Sequence, residues 1–339
     1  MKKIIIWFII IAFVVGLITV FFILKNRGKV AGAEKISSSQ ISNPFLFQDF
    51  IYYLNKDKAT INKIDLKTGK NSEINNLSVI KTELGQISDV QIFWYKEQYL
   101  IRCEDEEPST TNWYLGSISS TQIKKIPAKL TDSMRWKDEK NLVFIDYDNK
   151  IQVLNLDSLK ETFSGKIDSQ NVLEIFPSPD GEKAIIAETL EGEVTSSPVW
   201  IYYFKTKQLT NLSKTYIRNP LWSPGSQTVL FDKYTTSGQG KTEGLLIWSE
   251  KEQKQLSYGD ALKTAWLNED LILMALPQKN DLNSDSLYKI IPKSDGRTLV
   301  FESSNKERFI FENLMLAKDG KTLYFTSDDY LYKLNISKQ

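Results

Sequence analysis

The chain has 339 residues, of which 41% are hydrophobic and 12% aromatic, enough to bury a large core. Its 43 Lys and Arg residues nearly balance its 42 Asp and Glu residues, so we expect no nucleic-acid partner. The sequence has no histidine and one cysteine, which excludes Ser-His-Asp and Cys-His catalysis, imidazole-ligated metal sites, thiolate metal clusters and an intramolecular disulfide.

The first element is an apolar run at residues 4–24, where 21 consecutive positions carry no charge. As a helix rising about 1.5 Å per residue, this run spans a hydrocarbon core of roughly 30 Å. We therefore predict one transmembrane helix acting as a signal anchor, preceded by a cytoplasmic N-terminus at residues 1–3. Basic residues flank the run on both sides, so the large hydrophilic domain after it decides the orientation. We expect that domain to lie outside the cytoplasm, tethered to the cell membrane.

A secretory signal cleaved after Ala33 is the alternative, because residues 31–33 form the small-residue pattern Ala-x-Ala. Two features disfavour cleavage. The apolar run exceeds the roughly 7–15 residues of a signal core, and it ends nine residues before Ala33. A cytoplasmic domain behind an outward-facing N-terminus is a further alternative. Residues 25–40 are polar and are predicted to form a flexible linker.

A hairpin pattern then recurs every 42 to 51 residues through the region 41–339. Its clearest copy is residues 176–188, in which an aromatic residue, a Ser-Pro-Asp-Gly turn and a short apolar strand follow one another. In that turn Pro179 presets its own φ, Asp180 can bond the backbone ahead, and Gly181 can adopt a positive φ. Self-similarity at this period is typical of a propeller or another repeat fold.

Seven copies of the hairpin can be aligned on the middle of the second strand. These centres are Ile51, Leu100, Val143, Ile185, Val229, Ile272 and Leu323. A large aromatic precedes the turn in five copies, at Trp94, Trp136, Phe176, Trp222 and Trp266, with Phe47 in the comparable place of the first copy and Leu316 in the last. We interpret these aromatics as blade-packing residues rather than ligand platforms.

A third, β-branched or aromatic strand and a polar fourth strand follow each hairpin, which predicts an all-β, seven-bladed β-propeller with four-stranded blades. The regular interval disfavours the alternative, an irregular β-sandwich. The last copy ends after its third strand at Ile336, so we expect residues 30–39 or 41–47 to close the ring. The only cysteine, Cys103, ends an apolar strand and is predicted to be a core residue.

Residues 176–188, 221–233 and 314–327 resemble the repeat of TolB-like propellers, which also builds the propeller domains of prolyl oligopeptidase relatives. The resemblance covers about residues 40–339. It implies the propeller fold and a non-enzymatic role in protein interaction.

The longest insertions fall between the second and third strands of blades 4, 5 and 6, at residues 188–198, 233–244 and 277–286. Loops of one phase emerge on one face of a propeller, and long loops on a rigid scaffold are where recognition resides. We therefore predict that this face contacts a partner. The candidate partner-binding residues are Glu191, Glu193, Thr235, Gln239, Asn280 and Asp281.

Two acidic segments could hold a cation. The run at residues 104–107 is interpreted as a solvated loop, with a calcium site or an acidic rim as the alternative. Asn280, Asp281, Asn283 and Asp285 place oxygen ligands at close spacing, but the Gly and terminal Glu of an EF-hand loop are missing. We therefore expect no catalytic residue, no metal site and no cofactor.

The function that these features favour is a membrane-anchored, non-enzymatic scaffold that binds a protein of the cell envelope. The first alternative is a glycan hydrolase or lyase that uses paired carboxylates in the central channel. The inner strands carry few acids, which disfavours it. The second is a ligand-binding sensor propeller that signals through a membrane partner. The oligomeric state stays open.

Overall fold

A computed structural model describes residues 32–55, 57–77, 80, 87–105, 111–126, 133–169, 173–188, 198–213, 217–234, 242–304 and 308–337. Within these ranges the chain forms seven antiparallel sheets of four strands each, which confirms the predicted all-β propeller. No helix in the described part is long and apolar enough to cross a membrane. The predicted transmembrane helix at residues 4–24, the N-terminus at 1–3 and residues 25–31 of the predicted linker lie outside the described residues. The rest of the linker prediction is corrected at Glu34–Lys35, which form a strand of the propeller because they pair with its last strand.

Blades 1 to 4 follow one another along the chain, and each runs from an inner strand to an outer strand. Their strands are β2 (Ser42–Phe47), β3 (Phe50–Asn55), β4 (Thr60–Asp65) and β5 (Asn71–Asn76) in blade 1; β6 (Ile87–Tyr95), β7 (Gln98–Asp105), β8 (Thr111–Ser117) and β9 (Ser120–Lys125) in blade 2; β10 (Met134–Trp136), β11 (Asn141–Ile145), β12 (Lys150–Asn155) and β13 (Lys160–Lys166) in blade 3; and β14 (Leu173–Pro177), β15 (Lys183–Glu188), β16 (Val199–Tyr203) and β17 (Gln208–Ser213) in blade 4.

Blades 5 and 6 repeat this order, and a 3₁₀ turn at Ala261–Lys263 leads into blade 6. Blade 7 combines the last three strands with a strand from the start of the described chain, β1 (Glu34–Lys35). The remaining strands are β18 (Ile217–Trp222), β19 (Thr228–Tyr234), β20 (Thr242–Ser249), β21 (Gln253–Leu256), β22 (Thr264–Asn268), β23 (Leu271–Gln278), β24 (Asp281–Ile291), β25 (Gly296–Glu302), β26 (Glu312–Leu316), β27 (Thr322–Ser327) and β28 (Tyr330–Asn335).

The turn of blade 4 shows why the repeat sequence reverses the chain. The Ser178 amide donates to the Lys183 carbonyl at 2.9 Å, and the Ser178 hydroxyl accepts from the Lys183 amide at 3.0 Å. Asp180 accepts from the Glu182 amide at 3.0 Å, and Gly181 adopts a φ of 69°. The predicted roles of Asp180 and Gly181 are therefore confirmed.

The repeated tryptophans tie neighbouring blades together, which confirms them as blade-packing residues. In each case the indole Nε1 donates to a backbone carbonyl on the inner strand of the preceding blade. The pairs are Trp94 to Asn43 at 2.7 Å, Trp136 to Phe93 at 2.9 Å, Trp222 to Phe176 at 3.0 Å and Trp266 to Leu221 at 3.2 Å. We call this position the indole phase.

The pairing register corrects the predicted indole phase in two blades. In blade 5, Trp222 forms the last strand pair before the turn, with Val229. The equivalent pair in blade 4 is Pro177 with Ala184, so Pro177 and not Phe176 occupies the indole phase there. In blade 1 the phase falls on Leu46 and not on Phe47. Blade 1 has a bulge in its inner strand, and the positive φ of Asn43 accommodates the extra residue. Leu316 occupies the phase in blade 7, as predicted.

The apolar core lies between adjacent blades rather than at the centre of the disc. Ile185 and Val199 of blade 4, for example, pack with Val229 and Phe231 of blade 5. Cys103 is fully buried in the cluster between blades 1 and 2, which confirms it as a core residue.

The ring closes through the N-terminal segment, within the predicted window of residues 30–39. In the β1–β28 pair, Glu34 is opposite Lys333 and Lys35 is opposite Tyr332. Next to this pair, the Leu331 amide donates to the Ser37 hydroxyl at 2.8 Å. The open edge between the first and last blades is thus removed.

Candidate functional site

The two faces of the disc differ in the loops that they present. Because strands alternate in direction, the 2–3 hairpins and the links between blades share one face, which we call the loop face. Asn280 and Asp281 lie on it at the tip of the β23–β24 hairpin, and Asn280 is exposed. The candidate residues Glu191, Glu193, Thr235 and Gln239 lie outside the described residues.

A buried carboxylate organises the loop face of blade 6. Asp285 accepts from the Lys263 ammonium at 2.9 Å and from the Phe311 amide at 3.0 Å. Its own amide donates to the Phe309 carbonyl at 2.7 Å, and its carbonyl accepts from the Ser303 hydroxyl at 2.7 Å. The side chain and backbone of this one residue therefore join the 3₁₀ turn, the 2–3 hairpin and the link to blade 7. The sequence shows Asp285 only as one acid among several, so this role was missed.

Exposed apolar residues lie on the segments that Asp285 joins. Leu262, next to Lys263, is 65% exposed, and Leu282, three residues before Asp285, is 80% exposed. Ile310, between Phe309 and Phe311, is 36% exposed. At the edge of the group, Arg308 Nε lies 3.2 Å from an Asp281 carboxylate oxygen. We call Leu262, Asp281, Leu282, Arg308 and Ile310 the blade-6 apex.

A second buried carboxylate supports the same 3₁₀ turn from blade 5. Asp232 accepts from the Ala261 amide at 2.6 Å and from the Asn219 amide group at 2.7 Å. Burial raises the pKa of Asp232, while these two hydrogen bonds act in the opposite direction. At the turn itself, Asp260 caps the Leu262 amide at 2.8 Å. Leu262 is therefore presented on a rigid backbone.

Three acids of the two acidic segments form ion pairs in the described part of the chain. Asp285 is paired with Lys263 and Asp281 with Arg308, so the two acids serve different ion pairs. In the other acidic segment Glu104 pairs with Arg102, and residues 106 and 107 lie outside the described residues. Among the residues that the structure describes, no group of three or more Cys, Asp or Glu side chains could hold a metal ion.

One layer of side chains lies on the innermost strands, next to the central axis of the propeller. It consists of the residue before the indole phase in each blade, and all seven are half-buried. These residues are Phe45, Phe93, Arg135, Phe176, Leu221, Ala265 and Met315. We call them the channel layer. Six are apolar and Arg135 is the exception, a difference that appears only once the blades are aligned by register.

The Arg135 guanidinium lies on aromatic rings of two other blades. Its carbon is 4.3 Å from the ring centroid of Phe93 in blade 2 and 5.7 Å from that of Phe176 in blade 4. A side chain of blade 3 that reaches both neighbours must lie on the channel side of the inner strands. Burial lowers the pKa of Arg135, and the charge of Glu174 opposes that shift.

Three inner-strand positions in the described part of the chain carry carboxylates, and no two of them lie in adjacent blades. They are Asp89 on β6 of blade 2, Glu174 on β14 of blade 4 and Glu312 on β26 of blade 7. A glycosidase needs two carboxyl groups flanking one bond. The described inner strands place no such pair on neighbouring blades.

A cavity of about 440 Å³ opens on the opposite face, between the turns of blades 5 and 6. Trp266 and Ile247 form part of its lining, together with charged residues. Several of these charges are already paired, as Lys293 binds Asp270 at 2.7 Å and Glu269 accepts from the Ser223 hydroxyl at 2.6 Å. The cavity is thus a weaker candidate than the blade-6 apex or the channel layer.

No protein-family model matches this chain, and no curated protein is similar to it in sequence. Its fold is similar to that of an oligogalacturonate lyase in complex with manganese, with a TM-score of 0.58 and 12% identity over 88% of this chain and 84% of that one. An oligogalacturonate lyase from Vibrio parahaemolyticus gives a TM-score of 0.55 with the same identity and coverage.

The propeller domain of the Trilobed protease from Pyrococcus furiosus, described as having an open velcro topology, gives a TM-score of 0.57 and 12% identity over 91% of this chain and 96% of that one. Blade 7 of the present chain is instead completed by β1. Likenesses at 12% identity establish the fold alone: the chain is a seven-bladed β-propeller.

Proposed function

We propose that this chain is a membrane-anchored, extracytoplasmic propeller without enzymatic activity, which binds a protein of the cell envelope through its loop face. The observation that carries the proposal is the blade-6 apex, where Leu262 and Leu282 are 65% and 80% exposed on segments that the buried Asp285 joins. The apolar run at residues 4–24 supports the membrane anchor, and the TolB-like resemblance of the repeats supports the interaction role.

The apex has the physical properties of a protein-binding surface. Fully burying a leucine side chain contributes about 1.5–3 kcal/mol, so two exposed leucines and Ile310 offer a partner several kcal/mol. Hydrogen bonds to Asp285 and Asp260 hold the backbone of this region in place, so little conformational entropy is lost on binding. The Arg308–Asp281 ion pair at the edge can orient a partner of complementary charge.

Site-specific crosslinking in the intact, membrane-bound chain tests the interaction. A photoreactive amino acid would be placed at Leu282 and, as a control, at Leu299, which is 42% exposed on the outer strand of the same blade. We expect one protein to be crosslinked from position 282 and not from position 299. A crosslinker placed at position 262 should capture the same protein, and the Leu282→Asp substitution should abolish that capture. Equal crosslinking at 282 and 299 would contradict the proposal.

The location of the propeller can be tested separately with a thiol reagent. Cys103, the only cysteine, is buried, so the natural chain gives a low labelling background. We expect a Lys318→Cys variant, whose new thiol lies on an exposed turn, to react with a membrane-impermeant maleimide in intact cells. Labelling that appears only after lysis would place the propeller in the cytoplasm.

A glycan hydrolase or lyase is the second candidate, favoured by the likeness of the fold to two oligogalacturonate lyases. The test is turnover of oligogalacturonate and of cell-wall glycan by the purified chain. Turnover that is lost in Glu174→Gln, together with no specific crosslink at position 282, would replace the scaffold proposal with this one. A sensor role would instead require a ligand that changes the crosslinks.

A further inference from the structure

We propose that the central channel binds a small organic carboxylate with an apolar body, in which Arg135 binds the carboxylate and the apolar side chains of the channel layer contact the rest. This inference is independent of the protein partner at the blade-6 apex, because the channel layer and the apex share no residue.

The channel layer provides the apolar half of the site. Five apolar members of the layer lie on the innermost strands and are half-buried, so each keeps part of its surface exposed while the rest packs against the blades. They are Phe45, Phe93, Phe176, Leu221 and Met315. A concave, mostly apolar wall with one convergent polar group is the usual composition of a small-molecule site. Phe45 also stacks on Trp94 with ring centroids 5.7 Å apart, so its ring is held in a fixed position.

Arg135 provides the polar half. The Phe93 ring centroid lies 4.3 Å from the Arg135 guanidinium carbon, and the N–H groups of a guanidinium lie along the edge of its plane. Of the five N–H groups, one at Nη1 donates to the Met134 carbonyl at 3.0 Å. The others meet no hydrogen-bond acceptor among the described residues. A carboxylate can accept two parallel hydrogen bonds from such an edge.

Neighbouring charges determine which ligand charge fits. Glu174 opposes the lowering of the Arg135 pKa but forms no hydrogen bond with Arg135 in the described structure. Arg102 also acts on Arg135, while its own guanidinium is paired with Glu104. Arg102 Nε is buried without a hydrogen-bond partner among the described residues. Because Glu104 neutralises Arg102, the preference for an anionic ligand rests on the N–H groups of Arg135.

A purely structural role for Arg135 is the competing explanation. Blade 4 has Pro177 at the indole phase, so no indole bridges blades 3 and 4, and the stacked guanidinium could simply fill this space. That explanation predicts an effect of Arg135 on stability alone. It predicts no preference between a carboxylate and the matching amide.

The experiment is calorimetric titration of the full chain with 3-phenylpropionate and with its neutral analogue 3-phenylpropionamide. We expect the carboxylate to bind saturably. The amide should bind with an affinity at least about tenfold lower, because it cannot form the bidentate, charge-assisted pair. This comparison uses only the natural protein. It stays decisive even if a variant fails to fold.

Variants then assign the carboxylate to one residue. We expect Arg135→Gln to weaken binding of 3-phenylpropionate about tenfold, and Arg135→Lys to weaken it less, because lysine keeps the charge and loses the planar fork. The matched control is Arg297→Gln, since Arg297 also stacks on an aromatic ring, 4.7 Å from the Tyr258 centroid, but on the outer strand of blade 6. It should bind as the natural chain does.

Three results would overturn the inference. They are equal affinity for the carboxylate and the amide, unchanged binding in a folded Arg135→Gln variant, and the absence of saturable binding at concentrations well above 1 mM. None of them bears on crosslinking at Leu282, so the site in the channel and the proposed function fail separately.

Discussion

The boundary between blades 4 and 5 and the boundary between blades 3 and 4 are held together in different ways. At the first, the Trp222 indole donates to the Phe176 carbonyl at 3.0 Å. At the second, Pro177 occupies the indole phase and cannot donate, and the Ile175 amide donates instead to the Ser133 hydroxyl at 3.0 Å. The loss of one indole therefore leaves the channel side of blades 3 and 4 to Arg135.

The residue at the indole phase differs among the blades. It is a tryptophan in blades 2, 3, 5 and 6, and it is Leu46, Pro177 or Leu316 in blades 1, 4 and 7. The charged member of the channel layer precedes Trp136 of blade 3, and its guanidinium contacts Phe176 of blade 4, the blade whose Pro177 has no indole to donate to blade 3. The packing at a boundary therefore depends on both blades, and not on one position of the repeat.

The largest effect is expected from crowding the boundary between blades 3 and 4. A Cβ added at Gly181 would lie 2.5 Å from the Lys137 carbonyl oxygen of blade 3, and the φ of Gly181 is 69°. We expect Gly181→Ala to lower the free energy of unfolding by about 2–4 kcal/mol, from backbone strain plus overpacking. Urea denaturation measures this change.

Gly320→Ala is the matched control for that prediction. Gly320 has a φ of 63° in the same turn of blade 7, but nothing lies within 4 Å of an added Cβ. Its cost should be limited to the strain, about 1 kcal/mol. If both variants lose the same stability, the contact between the Gly181 turn and blade 3 contributes nothing to holding these blades together.

A smaller effect is expected from removing the indole tie between blades 4 and 5. Trp222→Phe keeps a ring but removes the donor to the Phe176 carbonyl. We expect it to lower the free energy of unfolding by about 1 kcal/mol more than the smaller ring alone would. Trp248→Phe, in the same apolar cluster, serves as the control, because none of the described contacts is a hydrogen bond from the Trp248 indole. Equal losses in urea denaturation would mean that packing, and not the hydrogen bond, joins the two blades.

The smallest effect is a pH dependence at the boundary between blades 5 and 6. Burial raises the pKa of Asp232, so the folded state binds its proton more tightly than the unfolded state does. The stabilisation from this proton is complete below the unfolded pKa of about 3.9 and is lost as the pH rises through the folded value. Asp232→Asn should remove that dependence, measured as the stability difference from the natural chain between pH 3 and pH 7. If the stability difference between Asp232→Asn and the natural chain is the same at pH 3 and pH 7, the prediction is wrong.

The sequence predicts the architecture well because each blade repeats the same physical solution. Trp94, Trp136, Trp222 and Trp266 mark the inner strands at a regular interval, and the unpaired third strand ending near Ile336 predicts closure by an N-terminal segment. The single cysteine in an apolar strand is buried in the core, as its neighbours indicate.

The sites depend on shifts of one residue and on contacts between distant segments, which sequence reasoning does not determine. Assigning Phe176 rather than Pro177 to the indole phase hides the channel layer, since the layer is the position just before that phase. Asp285 gains its role from Lys263 and Phe311, 22 and 26 residues away in different links. The candidate residues Asn280 and Asp281 lie on the loop face, but the exposed leucines beside them were not predicted.

The pairing of β1 with β28 delays completion of the ring until β28 has been synthesised. The bond between Ser37 and Leu331 spans 294 residues, whereas each of the first six blades pairs its strands locally. Those blades can form in turn as the chain emerges, but blade 7 must wait for β28. Until then β1 lacks the strand that it pairs with in the folded disc, and its unpaired edge is open to other chains.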